Sequence, residues 1–130
     1  ADEVVRIDPE TNQVTDRIPV EAEPIGMAFG EGSVWVTASG DDAVSRIDPE
    51  SLEVLFTTAV GQTPVAVAVA GGAAWVTDQN TNTVSRIDVA TGEVTATVDV
   101  GAQPGGVAIG GSAVWVTNMG DGTVSRLTAG

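Results

Sequence analysis

Seven side chains with oxygen donors supply the chemistry that this sequence gathers at matching positions. Asp41 and Asp42, then Asp78, Asn80 and Asn82, then Asn118 and Asp121 fall in three short polar segments, 38–42, 78–82 and 118–122. Carboxylate and amide oxygens are what a hard cation such as calcium or magnesium accepts. A divalent-ion or small-ligand site is therefore the sharpest function these positions offer. The run Asp78-Gln79-Asn80-Thr81-Asn82 resembles the opening of a calcium loop, but it lacks the glycine and the closing glutamate that such a loop needs. Solvated turn residues are the plainer reading, so no cofactor is expected and calcium or magnesium stands as the alternative. A second series, Arg6, Arg46, Arg86 and Arg126, recurs once every 40 residues and offers guanidinium groups to an anion. Pairing of each with a nearby carboxylate is the plainer expectation there.

Other chemistries are excluded by residue type. The chain has no histidine and no cysteine, and its five basic residues are all arginine. Triads built on Ser-His or Cys-His, thiolate metal sites and lysine Schiff bases are therefore ruled out. Eighteen carboxylates against five arginines give a net charge of -13. Such a surface repels phosphate backbones and anionic lipid, so neither nucleic acid nor a membrane is an expected partner. No apolar stretch approaches the ~18 residues that a spanning helix requires.

The elements that hold these residues follow from self-similarity. Trp35, Trp75 and Trp115 are 40 residues apart, each within a Val/Ala-Trp-Val-Thr tetrapeptide. Ser45-Arg46-Ile47-Asp48 returns as Ser85-Arg86-Ile87-Asp88 and as Ser125-Arg126-Leu127, and Val5-Arg6-Ile7-Asp8 precedes them at the same spacing. Residues 45–84 and 85–124 align without gaps at 19 identities in 40. Within a period the apolar runs are short, β-branched and separated by turn residues, which predicts four antiparallel strands, A to D. In the middle copy these are 65–70, 74–77 and 84–88, with 54–60 as the D strand of the preceding unit. The C to D turn is announced by Asp8-Pro9-Glu10-Thr11-Asn12, where Asn12 and its counterpart Gly92 tolerate positive φ. Leu52 occupies that place in the middle copy, and because a left-handed leucine is strained, a different turn is expected there.

Four short strands per 40-residue period predict an all-β fold, a β-propeller of about three four-stranded blades, amounting to half of a six-bladed ring. The expected divisions are strands C and D in 1–22, full blades at 23–60 and 63–100, and an incomplete blade at 103–130. Strands A and B are nearly continuous in apolar residues, as in Val65-Ala66-Val67-Ala68-Val69-Ala70, which suits a sheet covered on both faces. Gly26, Ala66, Gly105 and Gly106 are expected where inner strands crowd the axis, and the indoles are expected in the wedges between blades.

The pattern Pro-x-Gly/Ala-Val-Ala-Val/Ile, then Val114-Trp115-Val116-Thr117-Asn118, then Gly122-Thr123-Val124-Ser125-Arg126, resembles the YVTN-type propeller repeat of the virginiamycin B lyase-like group, related to NHL repeats. The resemblance covers essentially the whole chain and implies a blade more than an activity. Lyases of that group are implied to use a histidine general base beside a magnesium-binding carboxylate arrangement. This chain has no histidine to match, so the expected function is a non-catalytic scaffold or binding module rather than an enzyme. The alternative is a metal-dependent lyase-like enzyme, or an extracytoplasmic sensor domain, acting through the acidic loops. The resemblance points toward an extracytoplasmic bacterial setting, which composition leaves open.

Assembly follows from the count of strands. The chain opens on C and D strands and closes on A, B and C, which leans toward a piece of a longer chain or a designed half-ring. Residues 14–20 are the natural donor of the missing outer strand. Three blades do not close on themselves, whereas two copies in a C2 homodimer supply six. Residues 4–8 then duplicate 123–127, and one of the two is expected to be displaced.

Overall fold

The computed structural model describes residues 2–128, and these form thirteen strands and no helix. Strands β1 (Glu3–Asp8) and β2 (Gln13–Pro19) make a two-stranded sheet. Strands β3 (Pro24–Gly30), β4 (Ser33–Ala38), β5 (Ala43–Ile47) and β6 (Val54–Ala59) make the first four-stranded sheet. The second consists of β7 (Pro64–Ala70), β8 (Ala73–Asp78), β9 (Thr83–Asp88) and β10 (Val94–Asp99). A three-stranded sheet follows, β11 (Pro104–Gly110), β12 (Ala113–Asn118) and β13 (Thr123–Thr128). Every pairing is antiparallel between sequence neighbours, so each sheet is a meander and the sheets stack face to face as successive blades. The ring is not closed.

Turn chemistry sets the register of each C to D hairpin. The carbonyls of Asp8, Asp48 and Asp88 accept the amides of Asn12, Leu52 and Gly92 at 2.7, 2.9 and 2.8 Å. The same aspartates accept the amides of Glu10, Glu50 and Ala90 on Oδ1, each at 2.8 Å. The amides of Thr91 and Ala90 hold the Asp88 carboxyl below its ordinary value. The three turns are alike, which corrects the expectation for the middle one: Leu52 is left-handed at φ 62, beside Asn12 at 59 and Gly92 at 75. A non-glycine residue in that region costs about 1–2 kcal/mol. Leu52 offsets part of it by laying its half-buried side chain on the cluster of Ile18, Val36 and Ile47, full burial of a leucine being worth about 1.5–3 kcal/mol.

The core lies between sheets. Trp35 of β4 is fully enclosed, in one cluster with Val67, Ala74, Val76 and Ile87 of the next sheet and Val89 in the turn after β9. Trp75 of β8 repeats this with Val107, Val114, Val116 and Leu127. Every residue of β8 is buried, because it is an inner strand of the sheet that lies between the four-stranded β3–β6 and the three-stranded β11–β13. Gly26 permits the close approach of β3 to β7: a Cβ there would stand 2.3 Å from the Val65 carbonyl oxygen. The expectation for the glycines and indoles holds only at these internal junctions. Gly106 has nothing nearer than Thr117 Oγ1 at 3.1 Å, and Trp115 is 44% exposed, because no further sheet follows β11–β13.

Candidate functional site

The polar loops between the second and third strands of each sheet lie against the loops that enter each sheet from the one before. Backbone bonds repeat across this rim: the amides of Gly40, Asn80 and Gly120 donate to the carbonyls of Ala22, Gln62 and Ala102 at 3.0, 3.1 and 2.9 Å. Most of the seven candidate side chains complete the same framework. Asp41 and Asp121 accept the amides of Ala22 and Ala102, each at 2.8 Å. Asp42 and Asn82 accept the amides of Thr63 and Gln103 at 2.8 and 2.9 Å, and Asp2 does the same for Glu23 at 3.0 Å. Asn80 Nδ2 donates to Thr63 Oγ1 at 2.8 Å.

The residues thus held, Glu23, Thr63 and Gln103, are left-handed at φ 56, 55 and 53, and each precedes a proline. A side-chain acceptor on the amide stabilises a backbone that these residue types otherwise avoid. The signal was present in the sequence as an Asp or Asn at 2, 42 and 82, 21 residues before the residues that precede Pro24, Pro64 and Pro104. Sequence reasoning saw the oxygens and not the amides they serve.

Asp78 and Asn118 depart further from expectation, since they end strands β8 and β12 and are buried rather than lying in solvated loops. Asp78 Oδ2 accepts from Thr83 Oγ1 at 3.0 Å and Ser85 Oγ at 2.7 Å. Asn118 Nδ2 donates to Thr123 Oγ1 at 3.2 Å and to Ser125 Oγ at 2.9 Å. Burial pushes the Asp78 carboxyl above its ordinary value; the Ser85 and Thr83 hydroxyls and the Gly61 amide oppose this, and the nearby Asp42 carboxylate adds to it. Among the described residues no three carboxylates come together in a way that would hold a metal ion.

The arginine series also needs correcting. Among the described residues only Arg6 of the series pairs with a carboxylate, Nε standing 3.2 Å from Asp16 Oδ2. The remaining ion pair among the described residues joins Arg17 to Glu3. Arg46, Arg86 and Arg126 each lie directly across the ladder from a tryptophan, and their guanidinium carbons sit 5.6, 5.7 and 5.6 Å from the centroids of Trp35, Trp75 and Trp115. The ring face attracts the cation, and stacking leaves the edge N–H groups available for hydrogen bonds. Arg46 uses them on Ser33 Oγ at 2.8 Å and the Val89 carbonyl at 2.7 Å. Ala73 replaces the serine in the next blade, and Arg86 Nε is buried there without a partner. Arg6 has no tryptophan across from it and takes Asp16 instead.

Two faces of the arc are apolar and open. On the first four-stranded sheet Ile25, Met27 and Phe29 are 59, 58 and 69% exposed; on the last sheet Trp115 and Val124 are 44 and 62% exposed. The counterparts of Met27, Trp115 and Val124 at the second blade, namely Val67, Trp75 and Val84, are buried.

No protein-family model matches the chain, and no curated protein matches its sequence. Solved structures do resemble it. Virginiamycin B lyase from Staphylococcus aureus superposes with a TM-score of 0.83 at 21% identity, over 98% of this chain and 45% of that one. Hydrazine synthase of Kuenenia stuttgartiensis superposes at 0.77 and 19% identity, over 97% and 43%, and a streptogramin B lyase at 0.74 and 17%, over 98% and 48%. At these identities the likeness shows the β-propeller fold alone. The chain spans less than half the length of each.

Proposed function

We propose that this chain is a non-catalytic β-propeller scaffold whose working form is a ring completed by a second copy, six blades with C2 symmetry, presenting the loop rim as a binding face. The observation that carries the reading is the pair of open apolar faces, Ile25, Met27 and Phe29 at one end and Trp115 and Val124 at the other. Contiguous apolar surface on this scale is unusual on a solvated monomer and marks a docking surface. The polar rim favours a scaffold over an enzyme, because four of its seven candidate side chains, Asp41, Asp42, Asn82 and Asp121, are already committed to backbone amides.

Absolute mass by light scattering over a range of concentrations tests the assembly. The chain mass is 13.1 kDa, so the expected species is twice that, 26.2 kDa. A folded 13.1 kDa species at every concentration refutes the ring. Thermal melting with calcium or magnesium tests the competing reading, since a specific site raises the melting temperature as ligand exceeds Kd. No shift at millimolar metal is expected.

A further inference from the structure

We infer that the second copy docks by seating its Trp115 among Met27, Val34, Ile47 and Pro49, and that its β13 takes β2 away from β1. This rests on the self-association proposed above and adds which residues meet and which strand yields.

The seat is identified by repeat position. Trp35 clusters with Val67, Ala74, Ile87 and Val89. Moving back 40 residues gives Met27, Val34, Ile47 and Pro49. Those four line a cavity of about 130 Å³, whose other wall is Val4, Val5 and Arg6 of β1. The seat is repeated for Trp75, whose cluster includes the next counterparts Val107, Val114 and Leu127. The molecule therefore shows twice what covers this surface: a strand-B tryptophan with a strand-C arginine stacked on it. At the far end of the arc Trp115, with Arg126 stacked at 5.6 Å, is the indole that no seat covers. The chain carries one vacant seat and one unseated tryptophan, which is the complementarity of a head-to-tail pair.

Docking brings one strand too many. β1 pairs with β2 in the register that β5 keeps with β6: Glu3 faces Pro19 as Ala43 faces Ala59, and the irregularity falls at Arg6/Ile7 as at Arg46/Ile47. β1 thus fills the third-strand position next to the seat, and an incoming sheet carries its own third strand, β13. In the single chain both are paired, each in its own sheet.

Hydrogen bonding decides which one yields. Asn118 is buried, and its Nδ2 donates to Thr123 and Ser125 of β13. The corresponding residues of β1 are Glu3 and Val5, so replacing β13 by β1 would remove the seryl acceptor from a buried amide, an expensive loss. β1 has no such bond to strand B, and its Val5 and Ile7 are 38 and 56% exposed. β13 keeps its place and β1 is released.

The register of the new pair is set by β9 and β10, where Arg86 faces Ala96, Ser85 faces Thr97 and Val84 faces Val98. Transferred by the repeat, Arg126 of one copy faces Asp16 of the other, Ser125 faces Arg17 and Val124 faces Ile18. Arg126 has no carboxylate partner among the described residues, whereas Arg6 already holds Asp16 at 3.2 Å. The exchange hands Asp16 from one arginine to the other and covers the exposed Val124.

The test exploits a chain without cysteine. Directly opposed residues on antiparallel strands lie within disulfide reach. The double variant Asp16→Cys/Arg126→Cys, oxidised at a concentration where light scattering reports a dimer, is expected to migrate as a covalent dimer on a non-reducing gel. Arg6→Cys/Asp16→Cys is expected to oxidise within one chain, pin β1 to β2 and return the protein to 13.1 kDa. Trp115→Ala is expected to weaken dimerisation about 100-fold, as for an aromatic anchor at the centre of an interface. Removal of residues 1–12 is expected to leave the dimer at least as tight. A dimer that does not cross-link through positions 16 and 126, or that is lost when residues 1–12 are removed, overturns the exchange while the ring reading stands. A chain that is monomeric throughout overturns both.

Discussion

Trp35 and Trp115 hold the same repeat position, carry the same stacked arginine and differ in what covers them, so replacing each by alanine isolates the contribution of one blade packing on the next. Trp35 is fully enclosed, donates Nε1–H to the Gly30 carbonyl at 3.2 Å and meets Phe56 edge-on at 5.7 Å. A tryptophan buries roughly 150–250 Å², and at about 25 cal/mol per Å² this amounts to ~4–6 kcal/mol as an upper figure. Losses of about 3–5 kcal/mol are typical for Trp→Ala in a core. Trp115 is 44% exposed, so the same coefficient assigns it about half as much, ~2–3 kcal/mol. The arginine stack is common to both positions, at 5.6 Å, and cancels. Trp35→Ala is therefore expected to cost ~2 kcal/mol more than Trp115→Ala, read from urea unfolding by far-UV circular dichroism at protein concentrations low enough to hold the monomer. Equal costs, within about 0.5 kcal/mol, would refute the view that stability resides in the wedges between blades.

Three further outcomes follow from particular atoms. Gly26→Ala places a Cβ 2.3 Å from the Val65 carbonyl and is expected to destabilise the fold by ~1–3 kcal/mol, while Gly106→Ala in the monomer is expected to do little; comparing the two denaturation midpoints checks both. Ala73→Ser restores the hydroxyl that Ser33 offers Arg46, gives Arg86 Nε an acceptor and is expected to raise stability by ~1 kcal/mol in urea titration. Asp78→Asn is expected to stabilise the protein at neutral pH, Asn118 being the built precedent for an amide in this place. The Asp78 carboxyl lies above 3.8 when folded, so the folded state binds its proton more tightly and the contribution of Asp78 falls as pH rises from 3.8 through the raised value. The melting-temperature gap between Asp78→Asn and the parent should widen over that window and level off above it; a gap independent of pH contradicts the burial argument.

The sequence by itself determined the blades, because a 40-residue period and hairpin turns are local facts. Asp-x-x-x-Asn and Asp-x-x-x-Gly fix the C to D turn through bonds no longer than four residues, and alternation of β-branched runs with turn residues fixes the strands. What failed to read locally depended on distant partners. Leu52 keeps a left-handed turn because Ile18 and Val36, far along the chain, bury its side chain. Arg46 stacks on Trp35 rather than pairing with a carboxylate because ladder register places the ring across from it. The acidic loop residues looked like ligands because the sequence displays their oxygens and hides the amides at Ala22, Thr63 and Gln103 that use them.

Repetition makes three tryptophans look alike, and only the tertiary structure separates them: Trp35 and Trp75 are enclosed at 0 and 4% exposure, and Trp115 stands at the edge of the last sheet. Strand content depends on local turn chemistry and alternation, which the residues carry with them. Burial depends on whether another sheet arrives, and that is a property of the arc.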